Sequence, residues 1–323
     1  MAEFRTSFPM PAVRQKISLD SQLLTFGSCF ADVVGNRLKS NKLKVEVNPF
    51  GTLFNPLSIF KLLSPNYLVA DNRLFLENQE AWFHYDFHSQ FFAETQETLA
   101  EKIKLQLQDY QQALPKTDFL FITFGTAFAY RFSEPPTFVA NCHKMPARLF
   151  EKDLLSVKDI CKSFAVLYQE LKDINPNLRI VLTVSPVRHT KDGIPENQVS
   201  KSILRAACHY LTTDYESVEY FPAYEIMMDD LRDYRFYKAD LIHPNDVAEG
   251  YIFDKFSETY FDENLKKFQK DWQQISMRLA HRPFNEKSEA HQKFLIKLLN
   301  DLENISLKVD VSEEIARVKI LIK

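Results

Sequence analysis

Short uninterrupted apolar runs alternate along this chain with longer stretches whose apolar residues return every three or four positions. Leu23–Phe26 is the first run, and Phe30, Val33, Val34 and Leu38 follow it on one helical face, which predicts a helix over Phe30–Lys39. Val45–Val47 reads as a second strand, closed by the turn Asn48-Pro49-Phe50-Gly51. Asn55-Pro56 then opens a helix over Leu57–Leu63 with proline in its first turn. Arg73–Phe87 is apolar and aromatic enough for paired strands, and Leu99–Gln112 is a helix rich in Lys and Gln. D-F-L-F-I-T-F (Asp118–Phe124) is the clearest buried strand and stops at Gly125-Thr126. Beyond it the pattern predicts a helix over Asp153–Asn175, a strand Arg179–Val184 closed by Ser185-Pro186, a helix over Asn197–Tyr215, a short strand Val218–Phe221, and a turn that runs into a helix over His243–Phe261.

Strands and helices alternating at this spacing make βαβ units, and such units build a parallel sheet. The strands lack polar alternation, as expected when helices cover both faces. The predicted class is therefore α/β: a three-layer α/β/α sandwich, flavodoxin-like, with a mostly parallel sheet. From about Phe261 the pattern changes to Lys-, Glu- and Gln-rich helix, with Ile275, Leu279, Phe294, Leu295, Leu298 and Leu299 at helical spacing. This divides the chain into an α/β domain, residues 1–260, and a helical C-terminal extension, residues 261–323. The extension would pack on the main domain or join a second copy in a homo-oligomer.

Composition narrows the function classes. With 45% hydrophobic and 26% charged residues among 323, this is an ordinary globular chain. A net charge of −3 speaks against nucleic acid or an anionic membrane as the main partner. The four cysteines (Cys29, Cys142, Cys161, Cys208) form no C-x-x-C pair, which argues against a disulfide framework or structural zinc and fits a reducing compartment. No apolar run approaches the roughly 20 residues of a membrane span, and the first eleven residues lack the basic-then-apolar pattern of a secretory leader. The expectation is a cytoplasmic location.

Candidate chemistry lies at the carboxyl ends of the strands, where open α/β sheets bind ligands. T-F-G-S-C-F-A-D (Thr25–Asp32) offers two adjacent nucleophiles, Ser28 and Cys29, or else a plain turn of small residues. In A-D-L-I-H-P-N-D, Asp240 stands three residues before His243. It can orient the imidazole through one ring nitrogen and leave the other free to take a serine proton; equally, Asn245 or Asp246 can cap the helix that follows. N-C-H-K (Asn141–Lys144) reads as substrate recognition by His143 and Lys144 or as a loop ordered by local hydrogen bonds. Arg188 and His189, just after a strand end, read as contacts to an anionic or polar substrate or as a surface loop. His84, Asp86 and His88 would share one face of a strand. That face could line a cleft or hold metal, although a half-buried sheet face is the preferred reading and no metal site is assigned.

Taken in order, a serine after the first strand and Asp-x-x-His near the end of the α/β portion resemble the SGNH/GDSL hydrolase superfamily. Within it, G-S-C-F-A (Gly27–Ala31) is similar to the name-giving motif of the GSCFA family. So are N-P-F-G-T-L-F-N-P-L-S-I (Asn48–Ile59), F-G-T-A-F-A-Y-R (Phe124–Arg131), V-A-N-C-H-K-M-P (Val139–Pro146), Y-F-P-A-Y-E-I (Tyr220–Ile226) and D-D-L-R-D-Y-R-F-Y (Asp229–Tyr237). The resemblance spans roughly Phe8 to Phe261. It implies Ser28 as nucleophile, His243 as general base and then acid, and Asp240 as the orienting carboxylate. It also implies an oxyanion hole of the Ser28 and Gly51 main-chain amides, with a third donor from a Gly-x-Asn block. This chain has Gly125-Thr126-Ala127 there, which leaves Thr126 through its hydroxyl or Asn141 from the following loop. The family frame favours Ser28 over Cys29 and turns Cys29 inward as a buried filler. The implied function is hydrolysis of a small-molecule or carbohydrate ester, acetyl esters included, through an acyl-serine and without a cofactor. The alternatives are an O-acyltransferase with a sugar acceptor and a non-catalytic binding module on the same fold.

Overall fold

The computed structural model describes residues 6–69, 71–286 and 288–322. Residues 1–5, part of the stretch read above for a leader, lie outside that range. In chain order the elements begin β1 (Gln22–Gly27), α1 (Cys29–Ser40), β2 (Lys44–Val47), α2 (Pro56–Leu63), β3 (Phe75–Asn78), β4 (Ala81–His84), α3 (Gln96–Ala113) and β5 (Phe119–Phe124). They continue β6 (Phe128–Ser133), β7 (Pro136–Val139), β8 (Phe150–Leu154), α4 (Val157–Ile174), β9 (Arg179–Val184), α5 (Ile194–Asp214) and β10 (Val218–Tyr220). Last come the single turn α6 (Ala223–Glu225), α7 (Asp246–Tyr260), α8 (Glu263–Leu279), α9 (Glu289–Ile305) and α10 (Ser312–Leu321).

The central sheet has five strands in the order β10-β9-β5-β1-β2, all parallel. Its non-alternating strands are explained by two cores, one on each face. Leu24, Phe26, Leu120, Ile122, Leu182 and Val184 face a core shared with α2, α3, α4 and α5. Leu23, Phe119, Phe121 and Val181 face the other, shared with α1, α7, α8, α9 and α10. Successive residues of one strand thus serve opposite layers, so the strand interiors are apolar on both faces apart from the buried threonines Thr25, Thr123 and Thr183. Edge-on ring contacts fill the first core where it nears the β1 end, with Phe26–Phe50 at 5.4 Å and Phe50–Tyr110 at 5.5 Å.

The C-terminal helices pack on this chain's own domain. Trp272 is buried and donates its indole N–H to the Ser40 carbonyl at 2.7 Å, and Lys42 pairs with Glu314 at 2.6 Å. The Arg73–Phe87 stretch forms the β3–β4 hairpin as expected. The helix predicted over Asp153–Asn175 begins later, at Val157. Phe150–Leu154 instead pairs antiparallel with β6 in a separate three-stranded sheet, β7-β6-β8. The break has a local cause: the Ser156 side chain accepts from the Asp159 amide while the Asp159 carboxylate accepts from the Ser156 amide, a reciprocal cap that fixes the helix start.

Candidate active site

Strand order alone singles out one place. Sequence proceeds outward from β1 in both directions, to β2 on one side and to β5, β9 and β10 on the other. The carboxyl ends of β1 and β5 therefore flank the point where the winding reverses, and a crevice opens there. β1 ends at Gly27 and delivers Ser28; β5 ends at Phe124 and delivers Gly125.

The β1 end is tied down by the N-P-F-G turn. The Gly27 amide donates to Asn48 Oδ1 at 2.9 Å, the Asn48 amide donates to the Thr25 carbonyl at 2.9 Å, and Asn48 Nδ2 donates to Asp32 at 2.6 Å. The Leu53-Phe54 segment then bridges the two strand ends. The Leu53 amide donates to the Gly27 carbonyl at 2.9 Å, and the Gly125 and Thr126 amides donate to the Phe54 carbonyl at 2.8 and 3.1 Å.

Ser28 is 1% exposed, and its hydroxyl is buried with no hydrogen-bond partner. Cys29, expected to be the inward filler, is instead partly exposed. The reason is the frame of the turn: Ser28 is the N-cap of α1, in extended conformation, and Cys29 is the first residue of the helix. Burial and then the Asp32 carboxylate push the Cys29 thiol up, so the thiolate is disfavoured.

Asp240 and His243 meet as the spacing predicts. His243 Nδ1 stands 2.7 Å from Asp240 Oδ2, while Asp240 Oδ1 accepts from the Ile242 and His243 amides at 2.8 and 3.0 Å. These bonds, with the main-chain amides leading, hold the Asp240 carboxyl well below the usual carboxylate range. Asn245 caps α7 by accepting from the Ala248 amide at 3.1 Å, so the histidine sits just before the helix. Between the pair, Leu241 adopts a left-handed φ of 57°. A residue with a Cβ rarely does so, and the turn is held by Arg188, whose guanidinium donates to the Leu241 carbonyl at 2.8 Å and whose amide donates to the Ile242 carbonyl at 3.2 Å.

Arg188 thereby joins the Asp240–His243 loop to the end of β9, and His189 follows it. A Cβ placed on Gly125 would lie 3.1 Å from Ser28 Cβ, 3.2 Å from His189 Nε2 and 3.2 Å from Phe54 Cδ1. The three side chains thus meet over the one position at the β5 end that carries none. His189 Nε2 is buried without a partner, and the ring stands edge-on to Phe54 at 5.6 Å. Burial, followed by the Lys201 charge, pushes the His189 imidazole down to about 4, and His243 lies close enough for its charge to oppose protonation further.

Gly125→Ala is therefore expected to lower turnover about 10- to 100-fold while the protein stays folded, since small displacements at a reacting centre are amplified in rate. Unchanged turnover in a variant with a native melting curve would contradict this crowding.

The other expected site residues are placed differently. The Ser28 amide donates to the Thr123 carbonyl at 3.0 Å and the Gly51 amide to the Asn48 carbonyl at 2.7 Å, so both main-chain groups expected in an oxyanion hole are engaged within the fold. The Thr126 hydroxyl is 3.0 Å from Ser200 Oγ and accepts from the Phe128 amide at 3.1 Å. Asn141 Oδ1 accepts from the His143 amide at 2.8 Å. His143 is 6% exposed, tilted against Phe83 at 4.9 Å, with Nε2 at 3.0 Å from the His84 carbonyl, so it orders its loop rather than facing the crevice. Lys144 is exposed. Strand β4 ends at His84, so Asp86 and His88 lie beyond it and the three do not line one strand. Asp86 accepts from Lys61 at 2.7 Å and from Tyr67 at 2.8 Å, while His88 packs on Gly51, where an added Cβ would lie 2.4 Å from its own.

Two groups of this region lie on α5. Asn197 Oδ1 accepts from the His189 amide at 2.8 Å, and fully buried Lys201 donates to the Gly125 and Ser185 carbonyls at 2.8 and 2.7 Å. Burial brings the Lys201 ammonium down to about 7. A sequence signal existed: Lys201 falls on the buried stripe Asn197, Lys201, Leu204, Cys208, Leu211, where a lysine needs a buried partner. Beside Arg188, a cleft of about 200 Å3 is lined by Asn197, Tyr224, Met227, Tyr234 and Tyr237. Among the described residues, no group of three or more His, Cys, Asp or Glu is arranged to hold a metal ion, and no helix is long and apolar enough to cross a membrane.

The sequence matches the GSCFA family over residues 22–256 and the GSCFA domain protein, C-terminal domain, over residues 272–323. No curated protein matches it by sequence. Among solved structures it is similar to a carbohydrate esterase family 3 protein from Talaromyces cellulolyticus, at 10% identity and a TM-score of 0.34, covering 79% of this chain and 99% of that one. It is also similar to a Myceliophthora fergusii carbohydrate esterase family 2 enzyme with its carbohydrate-binding domain, at 11% identity and a TM-score of 0.37, covering 78% and 67%. A third is an acetyl xylan esterase from the rumen bacterium Butyrivibrio proteoclasticus, at 11% identity and a TM-score of 0.37, covering 76% and 64%.

Proposed function

The chain belongs to the GSCFA family, and on that premise we propose that it is a serine esterase acting on small acyl esters, with carbohydrate esters as the substrate class. The observation that carries the reading is the Ser28 hydroxyl, buried and unpartnered at the switch point of the sheet, together with an Asp240–His243 pair at 2.7 Å whose loop is tied by Arg188 to the segment that brings His189 to Gly125 beside Ser28. Buried polar groups are rarely left without a partner, and a reacting substrate supplies one here.

In this mechanism Ser28 Oγ attacks the ester carbonyl carbon. A C–O bond forms, the carbonyl electrons move to its oxygen, and the Ser28 proton passes to His243 Nε2. The tetrahedral intermediate collapses as the leaving alcohol departs with that proton. Water then repeats the sequence on the acyl-serine, releasing the acid. With the Ser28 and Gly51 amides engaged, the positive end of the α1 dipole, beside its N-cap Ser28, is the main-chain source of stabilisation for the developing oxyanion.

Asp240→Asn tests the carboxylate separately. Asp240 stays ionised at neutral pH because its bonds to the His243 and Ile242 amides and to the His243 ring depress its pKa. The amide variant is expected to keep the turn but lose the orientation of His243, lowering kcat about 100- to 10,000-fold in acetate release from acetylated sugars. Near-native kcat in Asp240→Asn would remove Asp240 from the mechanism.

A further inference from the structure

We propose that His189 is the side-chain donor of the oxyanion hole, its Nε2–H bonding the carbonyl oxygen as negative charge develops there. The inference rests on the serine reading above and names a group that takes the place of the Gly-x-Asn donor.

Two buried polar atoms have no partner, Ser28 Oγ and His189 Nε2, and the side chains that carry them meet at Gly125, through Ser28 Cβ and His189 Nε2. An unpaired buried polar group is costly, and two at one point call for a shared explanation. No hydrogen bond joins them, and in the proposal the oxygen of a carbonyl whose carbon is in reach of Ser28 is the partner that His189 Nε2 lacks. Gly125 puts no side chain between them.

The two imidazoles are built for different tasks. His243 is partly exposed and has a carboxylate on Nδ1, which stabilises the imidazolium that a general base becomes. The ionisable groups acting on His189 are Lys201, Asp192 and His243. Asp192 is already paired with Lys152, and the other two are cationic or become so. His189 thus stays a neutral imidazole, which donates from one ring nitrogen and keeps its proton. Its position is fixed by Asn197 Oδ1, which accepts from its main-chain amide, and by the Phe54 ring at its side. The alternative side-chain donor Thr126 is held in its own turn by Ser200 and Phe128.

In the reaction His189 gains and loses no proton. The C–O bond to Ser28 forms, the proton goes to His243, and the oxyanion accepts a hydrogen bond from His189 until the carbonyl re-forms. The same donor would hold the phosphoryl oxygen when Ser28 displaces fluoride from an alkyl fluorophosphonate, where the P–O bond forms, the P–F bond breaks and the Ser28 proton again passes to His243.

The test is the rate of fluorophosphonate labelling of Ser28 in wild type, His189→Phe and His189→Gln, with circular dichroism melts as the folding control. Phe keeps ring volume against Phe54 without a donor; Gln keeps an N–H. A folded His189→Phe labelled about 100-fold more slowly, with His189→Gln recovering at least tenfold of that loss, is expected for a lost oxyanion donor. Labelling of His189→Phe within threefold of wild type, or equal slowing in both variants, overturns the donor role while leaving the serine mechanism in place. No labelling of Ser28 in the wild type overturns both.

Discussion

Ser28→Ala is expected to lower hydrolysis of a short-chain aryl ester by at least about 10,000-fold, with residual turnover due to binding and oxyanion contacts alone. His243→Ala should fall to a similar level, and the double variant should be no worse than either single one, because nucleophile and base act as a unit. Cys29→Ala should stay within about threefold of wild type, since a thiol whose pKa is raised by burial and by Asp32 is a poor nucleophile at neutral pH. A Ser28→Ala protein that keeps more than a tenth of wild-type kcat would remove the serine from the chemistry. Loss of activity in Cys29→Ala alone would move it to the thiol. Folding is not at issue in this series: Ser28 is a small side chain that makes no hydrogen bond with its hydroxyl, and removing a buried unpaired oxygen does not weaken the fold.

The largest effect on stability is expected one residue earlier. Gly27 pairs with Thr123 across β1 and β5 and has a φ of +130°, outside the range of side-chain-bearing residues. A Cβ there would sit 2.1 Å from the Thr123 carbonyl oxygen, which is main chain and cannot rotate away. That carbonyl accepts the Ser28 amide, so relief of the clash must part the two central strands at the point that carries the nucleophile. Gly27→Ala should cost roughly 3 kcal/mol or more, combining backbone strain with steric overlap. It should lower the melting midpoint by roughly 5 °C or more. Gly250→Ala is the control: it lies within α7 with nothing within 4 Å of an added Cβ, and is expected to be neutral or stabilising by up to about 1 kcal/mol. A Gly27→Ala protein melting within a degree of wild type would show that the turn does not need glycine.

Much of this was legible in the sequence because local rules carried it. Continuous apolar strands with small residues at their ends gave the parallel sheet and the places where a site could form. Asp240-x-x-His243 folded back as its spacing requires, and Asn48 and Gly51 formed a turn. What could not be read depended on contacts distant in sequence. The β6–β8 sheet joins Phe128–Ser133 to Phe150–Leu154 across an intervening strand and loop, and the latter stretch continues into a helix without a break in apolar spacing. That continuity hid the start of α4. The Ser28 and Gly51 amides could be named but not their acceptors, Thr123 and Asn48, which are fixed only by strand register and turn geometry. His189 read as a contact to a polar substrate or as a loop residue; its proximity to Ser28 depends on β9 lying beside β5 and on the absent side chain of Gly125.

The central claim is that Ser28 forms the covalent bond. Treatment of the native protein with an alkyl fluorophosphonate, followed by peptide mass spectrometry, tests it independently of the natural substrate. The account predicts one phosphonyl group per chain, located on Ser28 and lost in His243→Ala. An adduct on Cys29, or an unmodified Ser28 after exhaustive treatment, would contradict it.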